Sequence, residues 1–120
     1  MWLRIRWTRK SALMSDIPER DWKRLRQLKP VVLDRFSERV LREVISIANA
    51  PGSTPHERYL KLYRFIDEKD DELARAFDDH RRSTAFPKIA QIYALGLFTE
   101  EEFAGFSEQT RKLVLDLVSL

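Results

Sequence analysis

The sequence predicts an all-α protein, a compact bundle of five to six helices over residues 14–120. Apolar residues recur at spacings of three and four along most of the chain, which is the helical period. The five prolines fall where helices are expected to start or stop. The segments between the expected helices are short, and none is of low complexity. At 120 residues, the chain has the size of a single domain.

Two helices are expected before the first glycine. The first covers residues 15–28, with Ser15 or Asp16 as its cap. Pro30 disfavours helical geometry at the preceding residue and suits the first turn of a helix. We therefore expect a break there and a second helix over residues 30–49.

A third helix, the longest, is predicted from Pro55 to about His80 or Arg81. Thr54 and Glu57 form a capping-box pattern around Pro55, which marks its start. Along this helix, positions step by four and three, a heptad-like pattern that predicts a buried seam. The predicted seam consists of Tyr59, Tyr63, Ile66, Asp70, Leu73, Phe77 and His80.

Three shorter helices complete the prediction. The fourth opens near residues 85–87 and stops at Gly96, which is expected in the left-handed conformation of a helix end. Thr99 begins a second capping box, and its helix ends near Gly105. Ser107 is expected to cap the last helix.

The basic residues are distributed unevenly along the chain. The formal net charge is +3, but the first thirteen residues contain four Lys/Arg and no acid, which leaves residues 14–120 at −1. Specific duplex DNA binding by this nearly neutral body has weak electrostatic support. The chain contains no cysteine, which excludes disulfides and thiolate metal sites and fits a reducing compartment. No transmembrane segment or signal-peptide core is visible, so we predict a cytoplasmic protein.

Residues 1–13 form a basic aromatic arm, expected to be disordered or a short strand. Trp2 and Trp7 offer rings that stack on nucleic-acid bases or enter a membrane interface. Arg4 and Arg6 are candidate phosphate contacts, and their alternation with apolar residues is typical of a strand. Alternatively, the methionine that follows the arm is the true first residue, and the arm is not native.

The densest polar cluster precedes the fourth helix. Arg81 and Arg82 lie at the expected end of the third helix, where the helix dipole favours cations. Ser83 and Thr84 are placed to cap the next helix. Alternatively, these four residues contact an anion or a partner, aided by the free N–H groups of a helix start.

Two ionisable residues fall on the predicted seam of the third helix. Asp70 interrupts the apolar positions, so we expect a carboxylate that meets a cation or a hydroxyl from another helix when buried, or that lies at an edge of the seam. Arg24, Arg39 and Arg42 are possible partners, and a polar recognition or register-setting role is the alternative. His80 lies near the end of the seam and is the second candidate buried polar group.

No catalytic constellation is visible. The glycines stand singly at 52, 96 and 105, so there is no glycine-rich phosphate loop, and no serine lies in a nucleophile elbow. The two histidines lack the spacing of a helical zinc site. The acidic run at residues 67–72 lacks the glycine turn of a calcium loop and is expected to be a solvated helix face. We predict no enzyme activity, no metal and no cofactor.

Two resemblances cover parts of the chain. Asp21-Trp22-Lys23 and residues 35–41, 56–60 and 78–85 resemble a group of small, uncharacterised, helical bacterial proteins. That group implies a helical fold and no particular activity. Residues 89–106 are similar to the SHOCT module, a short helical hairpin associated with oligomerisation, and the likeness is carried by Leu95-Gly96-Leu97-Phe98-Thr99-Glu100-Glu101-Glu102-Phe103.

The sequence therefore predicts a non-enzymatic protein-interaction or adaptor module. Its partner is an unknown protein or a second copy of the chain. The alternative is a nucleic-acid-associated regulatory protein that uses the Trp/Arg arm.

Overall fold

The computed structural model describes residues 17–120, and the predicted all-α fold is confirmed there. The expectations for residues 1–13, and for the cap at residues 15 and 16, lie outside the described residues. The described chain forms five α-helices, and a 3₁₀ turn, Arg82–Thr84, lies between the second and the third of them. These helices are α1 (Glu19–Ala48), α2 (Pro55–Phe77), α3 (Ala85–Ala94), α4 (Glu100–Ala104) and α5 (Glu108–Val118).

The break predicted at Pro30 is wrong, because α1 continues through it as one helix. A proline inside a helix removes one N–H donor and opposes a carbonyl of the preceding turn, at a cost of about 3 kcal/mol. Here Pro30 lies on the exposed side, whereas Leu25 and Val32 on either side of it are fully buried in the same core. Burial of apolar side chains on both sides of Pro30 offsets the local penalty.

The predicted helix boundaries around α3 to α5 are confirmed. Thr99 caps α4 in a capping box, and its Oγ1 accepts a hydrogen bond from the Glu102 N–H at 3.1 Å. Ser107 caps α5, and its Oγ accepts a hydrogen bond from the Thr110 N–H at 3.3 Å. Gly96, which follows α3, has a φ of +70°, as expected for a left-handed helix end.

The α2 helix begins at Pro55 as predicted but ends at Phe77, three or four residues earlier than expected, and with 23 residues it is shorter than the 30-residue α1, so the prediction that it is the longest is wrong. Thr54 caps its start, where the Oγ1 accepts a hydrogen bond from the Glu57 N–H at 3.2 Å. At the other end, Asp78 is extended, and Asp79 has a φ of 59°. Aspartate tolerates this left-handed conformation better than most residues, so the chain leaves the helix here.

The core lies at one end of the molecule, where α3, α4 and α5 pack on the first half of α1. Its largest fully buried apolar side chains are Leu25, Val32, Ile89, Ile92, Leu97, Phe106 and Val114. From residue 37 to residue 75, only Ile47 belongs to the buried class. The second half of α1 and most of α2 therefore project as a two-helix hairpin, which gives the molecule extents of 57 × 32 × 22 Å.

A buried carboxylate connects the start of α1 to the start of α5. Asp21 is 0 % exposed. It accepts hydrogen bonds from the Ser107 N–H at 2.8 Å, the Ser107 hydroxyl at 2.6 Å and the Thr110 hydroxyl at 2.6 Å. Hydrogen bonds to a charged acceptor are the stronger kind, and they compensate the cost of removing a carboxylate from water.

Arginines along α1 hold the segment between α3 and α5. Arg24 donates to the Glu102 carbonyl at 2.9 Å, and Arg39 donates to the Leu95 carbonyl at 2.6 Å. Arg35 binds both carboxylate oxygens of Glu102, at 2.5 and 3.0 Å. This bidentate ion pair holds the pKa of Glu102 below its usual range.

We predict that Asp21→Ala lowers the free energy of unfolding by about 3 kcal/mol, because three donors lose their acceptor at a buried site. Asp34→Ala is the matched control, since Asp34 is exposed on the same helix, and it should change stability by less than about 0.5 kcal/mol. Urea unfolding followed by circular dichroism measures both. Equal effects of the two substitutions would contradict this role of Asp21.

Glu102→Gln tests the ion pair without removing the cap, because glutamine can still accept the Thr99 N–H. Arg35 is 36 % exposed, so we expect only about 1 kcal/mol of destabilisation at neutral pH. Because the folded-state pKa of Glu102 is lowered, its contribution is present above the ordinary value of 4.5 and is lost as the pH falls through the folded pKa. Unfolding at several pH values should show the wild type and the variant converging in acid, and a constant difference would contradict the assignment.

Candidate interaction surface

The projecting hairpin is antiparallel, and it is fastened near its loop. Arg58 on α2 donates a hydrogen bond to the carbonyl of Ala48 at 3.1 Å. Nearer the core, Leu41 and Ile66 line the same groove, and so do Ser37 and Asp70. Residues 48, 41 and 37 of α1 therefore lie at about the same heights along the hairpin as residues 58, 66 and 70 of α2.

The seam predicted for α2 is wrong by one residue in the outer part of the helix, whereas at its inner end Phe77 is buried and Leu73 packs against the core, as predicted. Ile66 and Leu73 of the predicted seam are half-buried, but a second row of half-buried positions leads to the buried Ala76 and consists of Arg58, Leu62, Phe65, Lys69 and Glu72. They keep the spacing of four and three but precede the predicted positions by one. Because one residue turns a helix by about 100°, Tyr59, Tyr63 and Asp70 lie on the side of the hairpin rather than against α1.

This rotation exposes large apolar side chains in the outer part of the hairpin. Tyr59 is 65 % exposed and Tyr63 is 63 % exposed, and on α1 the neighbouring Leu41 and Ile45 are 60 % and 61 % exposed. Ile66 is half-buried at the same side. We call these five residues the apolar face. A groove of about 220 Å³ runs along its inner edge.

The opposite side of the hairpin is charged and internally paired. Lys69 forms an ion pair with Glu72 at 3.0 Å, and its ammonium lies 5.5 Å from the ring centre of Phe65. Arg39 and Glu43 line the cleft on this side. This side is the more charged of the two, although Leu60 is 37 % exposed on it, and the larger group of exposed apolar side chains lies on the other side.

Asp70 is exposed, so the buried ion pair favoured for it is wrong and the alternative position at an edge is the one observed. It lies at the inner end of the apolar face. None of the three arginines proposed as its partner serves it, because Arg24 and Arg39 bind backbone carbonyls and Arg42 pairs with Glu38 at 2.8 Å. The carboxylate that is buried in the described structure is Asp21, which carried no distinctive sequence pattern.

His80 is half-buried just beyond the end of α2. Its Nε2 lies 2.7 Å from the carbonyl oxygen of Ala76, and its ring stacks on Phe77 at 6.3 Å between centres. Burial lowers the pKa of this imidazole, because the charged form loses hydration. These contacts indicate a structural role, in which His80 packs on Phe77 and lies against a carbonyl group of the last turn of α2.

Three of the four residues of the polar cluster have partners within the described chain. Arg81 pairs with Asp79 at 2.8 Å, and Arg82 pairs with Glu19 at the start of α1. The Thr84 hydroxyl donates to the carbonyl of Asp79 at 2.6 Å. Ser83 is exposed, and neither it nor Thr84 makes the predicted side-chain cap of α3. This geometry favours the structural alternative, a turn stabilised by ion pairs, over an anion site.

The remaining candidate contacts, Trp2, Arg4, Arg6 and Trp7, lie outside the described residues. Within residues 17–120, no cluster of three or more histidine or acidic side chains has the arrangement of a metal site. No helix in this part of the chain is both long enough and apolar enough to cross a membrane.

We predict that Ile45→Glu leaves the stability of the monomer within about 0.5 kcal/mol of the wild type, because the side chain is already largely in water. Ile47→Glu, two residues away and buried between the helices, should cost about 3 kcal/mol or more. Chemical unfolding at low protein concentration measures both. Similar losses from both substitutions would mean that Ile45 is not exposed.

Comparison of the chain with protein-family models, curated proteins and solved structures finds no significant match. The resemblances to small bacterial helical proteins and to the SHOCT module therefore stay predictions, and the function has to be argued from the surface itself.

Proposed function

We propose that this chain is a non-enzymatic protein-interaction module that binds its partner through the apolar face of the α1–α2 hairpin. The observation that supports this proposal is the exposure of Leu41, Ile45, Tyr59 and Tyr63, which helical spacing places on the side of the hairpin where Leu41 and Ile66 line one groove. At about three-fifths exposure each, these four side chains present on the order of 450 Å² of surface. Patches of roughly 300–600 Å² are the largest found on typical monomers and are often functional.

The composition of the patch also supports binding. Tyrosine is enriched at protein interfaces, because it combines a large apolar ring with a polar hydroxyl and loses little conformational entropy. The partly filled groove beside Leu41 and Ile66 offers a place for a side chain from the partner. Ion pairs and hydrogen bonds already occupy many of the charged groups on the other side of the hairpin.

The nucleic-acid alternative has less support from the described residues. Arg24, Arg35 and Arg39 are held by carbonyl oxygens or by Glu102, and Arg81 and Arg82 have acidic partners. Phosphate binding would have to displace these contacts.

The part of the nucleic-acid alternative that concerns the arm, residues 1–13, stays a prediction. A cytoplasmic location also remains part of our proposal, and the absence of cysteine fits it.

Quantitative affinity purification from the source cells tests the proposal. Tagged wild type is compared with Ile45→Glu and with Ser46→Glu, an exposed control that adds the same charge to the adjacent position. We expect at least one protein, or an untagged copy of the chain, to be depleted about ten-fold or more with Ile45→Glu and retained with Ser46→Glu. Identical partner sets for all three proteins would contradict binding through the apolar face.

A further inference from the structure

We infer that the apolar face binds a second copy of this chain, forming an antiparallel four-helix bundle with its two-fold axis near Tyr63. This inference rests on the proposed function and names the partner of the same surface. Closed two-fold pairing is the commonest form of protein self-association, and it requires a patch that is complementary to itself. The order of residues along α2 meets this requirement.

The side chains along this side of α2 are arranged symmetrically around Tyr63. His56 precedes it by seven residues and Asp70 follows it by seven, so all three lie on one side of the helix. Each is about 10.5 Å from Tyr63 along the axis. The apolar Tyr59 and Ile66 lie between them. The ring of His56 stacks on that of Tyr59 at 6.4 Å between centres, which places both on this side.

An antiparallel copy with its axis at Tyr63 therefore brings opposite ends of the two faces together. Asp70 of each copy meets His56 of the other, so a carboxylate faces an imidazole rather than another carboxylate. A parallel arrangement would place both Asp70 side chains at the same level of the bundle and both His56 side chains at another, so neither carboxylate would face an imidazole. On α1, the same axis puts the large Leu41 opposite the small Ala48, which allows the side chains to interdigitate.

The size of the face fits a small dimer. A stable interface buries about 800 Å² from each partner, of which roughly two thirds is apolar in homodimers. The four most exposed side chains of the apolar face present on the order of 450 Å², which approaches the apolar area that such an interface buries on each partner, and Ile66 adds to it. An interface at this lower limit is expected to have a dissociation constant on the order of 1–100 µM.

Sedimentation equilibrium of the purified full chain between about 1 and 300 µM tests this inference. We expect a reversible monomer–dimer equilibrium in which Ile45→Glu and Tyr63→Lys each weaken association by about 50-fold or more, because a charge is buried twice. Ser46→Glu should leave the dissociation constant within about two-fold. Circular dichroism checks that each variant remains helical.

A charge exchange tests the antiparallel register. Asp70→Lys alone and His56→Glu alone should each weaken association by about five-fold, because each places like or unpaired charges at the contact. The double variant should recover most of the loss. Positions 56 and 70 are about 21 Å apart within one copy, so recovery cannot arise inside a monomer.

The outcomes separate this inference from the proposed function. A chain that stays monomeric at 300 µM, or a dimer that Ile45→Glu and Tyr63→Lys leave unchanged, overturns pairing through this face. If a different protein is then lost selectively from the Ile45→Glu purification, the interaction module stands and only the identity of its partner was wrong. If no protein is lost, both proposals fail.

Discussion

The buried carboxylate of Asp21 accepts three hydrogen bonds from Ser107 and Thr110, 86 and 89 residues further along the chain. This contact fixes the first turn of α5 on the first turn of α1. The segment between α3 and α5 is then held along α1 by Arg24, Arg35 and Arg39. Because a buried carboxylate requires all of its donors, the network favours one arrangement of the C-terminal helices over other packings of the same apolar residues.

The position of this network determines what is left exposed. All three short helices are placed against the first half of α1, where they complete a core around Ile89 and Phe106. The outer halves of α1 and α2 then have only each other to pack against. Each helix carries an apolar stripe wider than one neighbour can cover, and α2 turns Phe65 and Leu62 inward, which leaves Tyr59 and Tyr63 in solvent. The apolar face is therefore exposed because, among the described helices, the outer halves of α1 and α2 pack only on each other.

Features set by local chemistry could be predicted from the sequence. The caps at Thr54, Thr99 and Ser107 and the left-handed Gly96 depend on groups within a few residues of each other, and all four are confirmed. The break predicted at Pro30 does not occur, because burial of side chains on both sides of it, a tertiary effect, outweighs the local preference of proline. No local pattern distinguished Asp21 from other acids in a first helical turn.

The seam of α2 could not be assigned from its spacing alone. Two registers one residue apart both carry apolar side chains, one through Leu62 and Phe65 and the other through Tyr63 and Ile66. Such a broad stripe indicates contacts with more than one neighbour, but the sequence does not say which register faces the rest of the monomer. The register that faces solvent is the one on which the proposed surface rests.

Amide hydrogen exchange at two protein concentrations, about 2 and 200 µM, tests most directly whether the apolar face is covered in solution. Our account predicts that protection of residues 41–48 and 59–66 increases at the higher concentration, while amides of the core around α3 and α5 exchange at the same rate in both samples. Exchange in the hairpin that does not change with concentration would contradict pairing through this face. A concentration effect confined to α3–α5 would place the contact elsewhere.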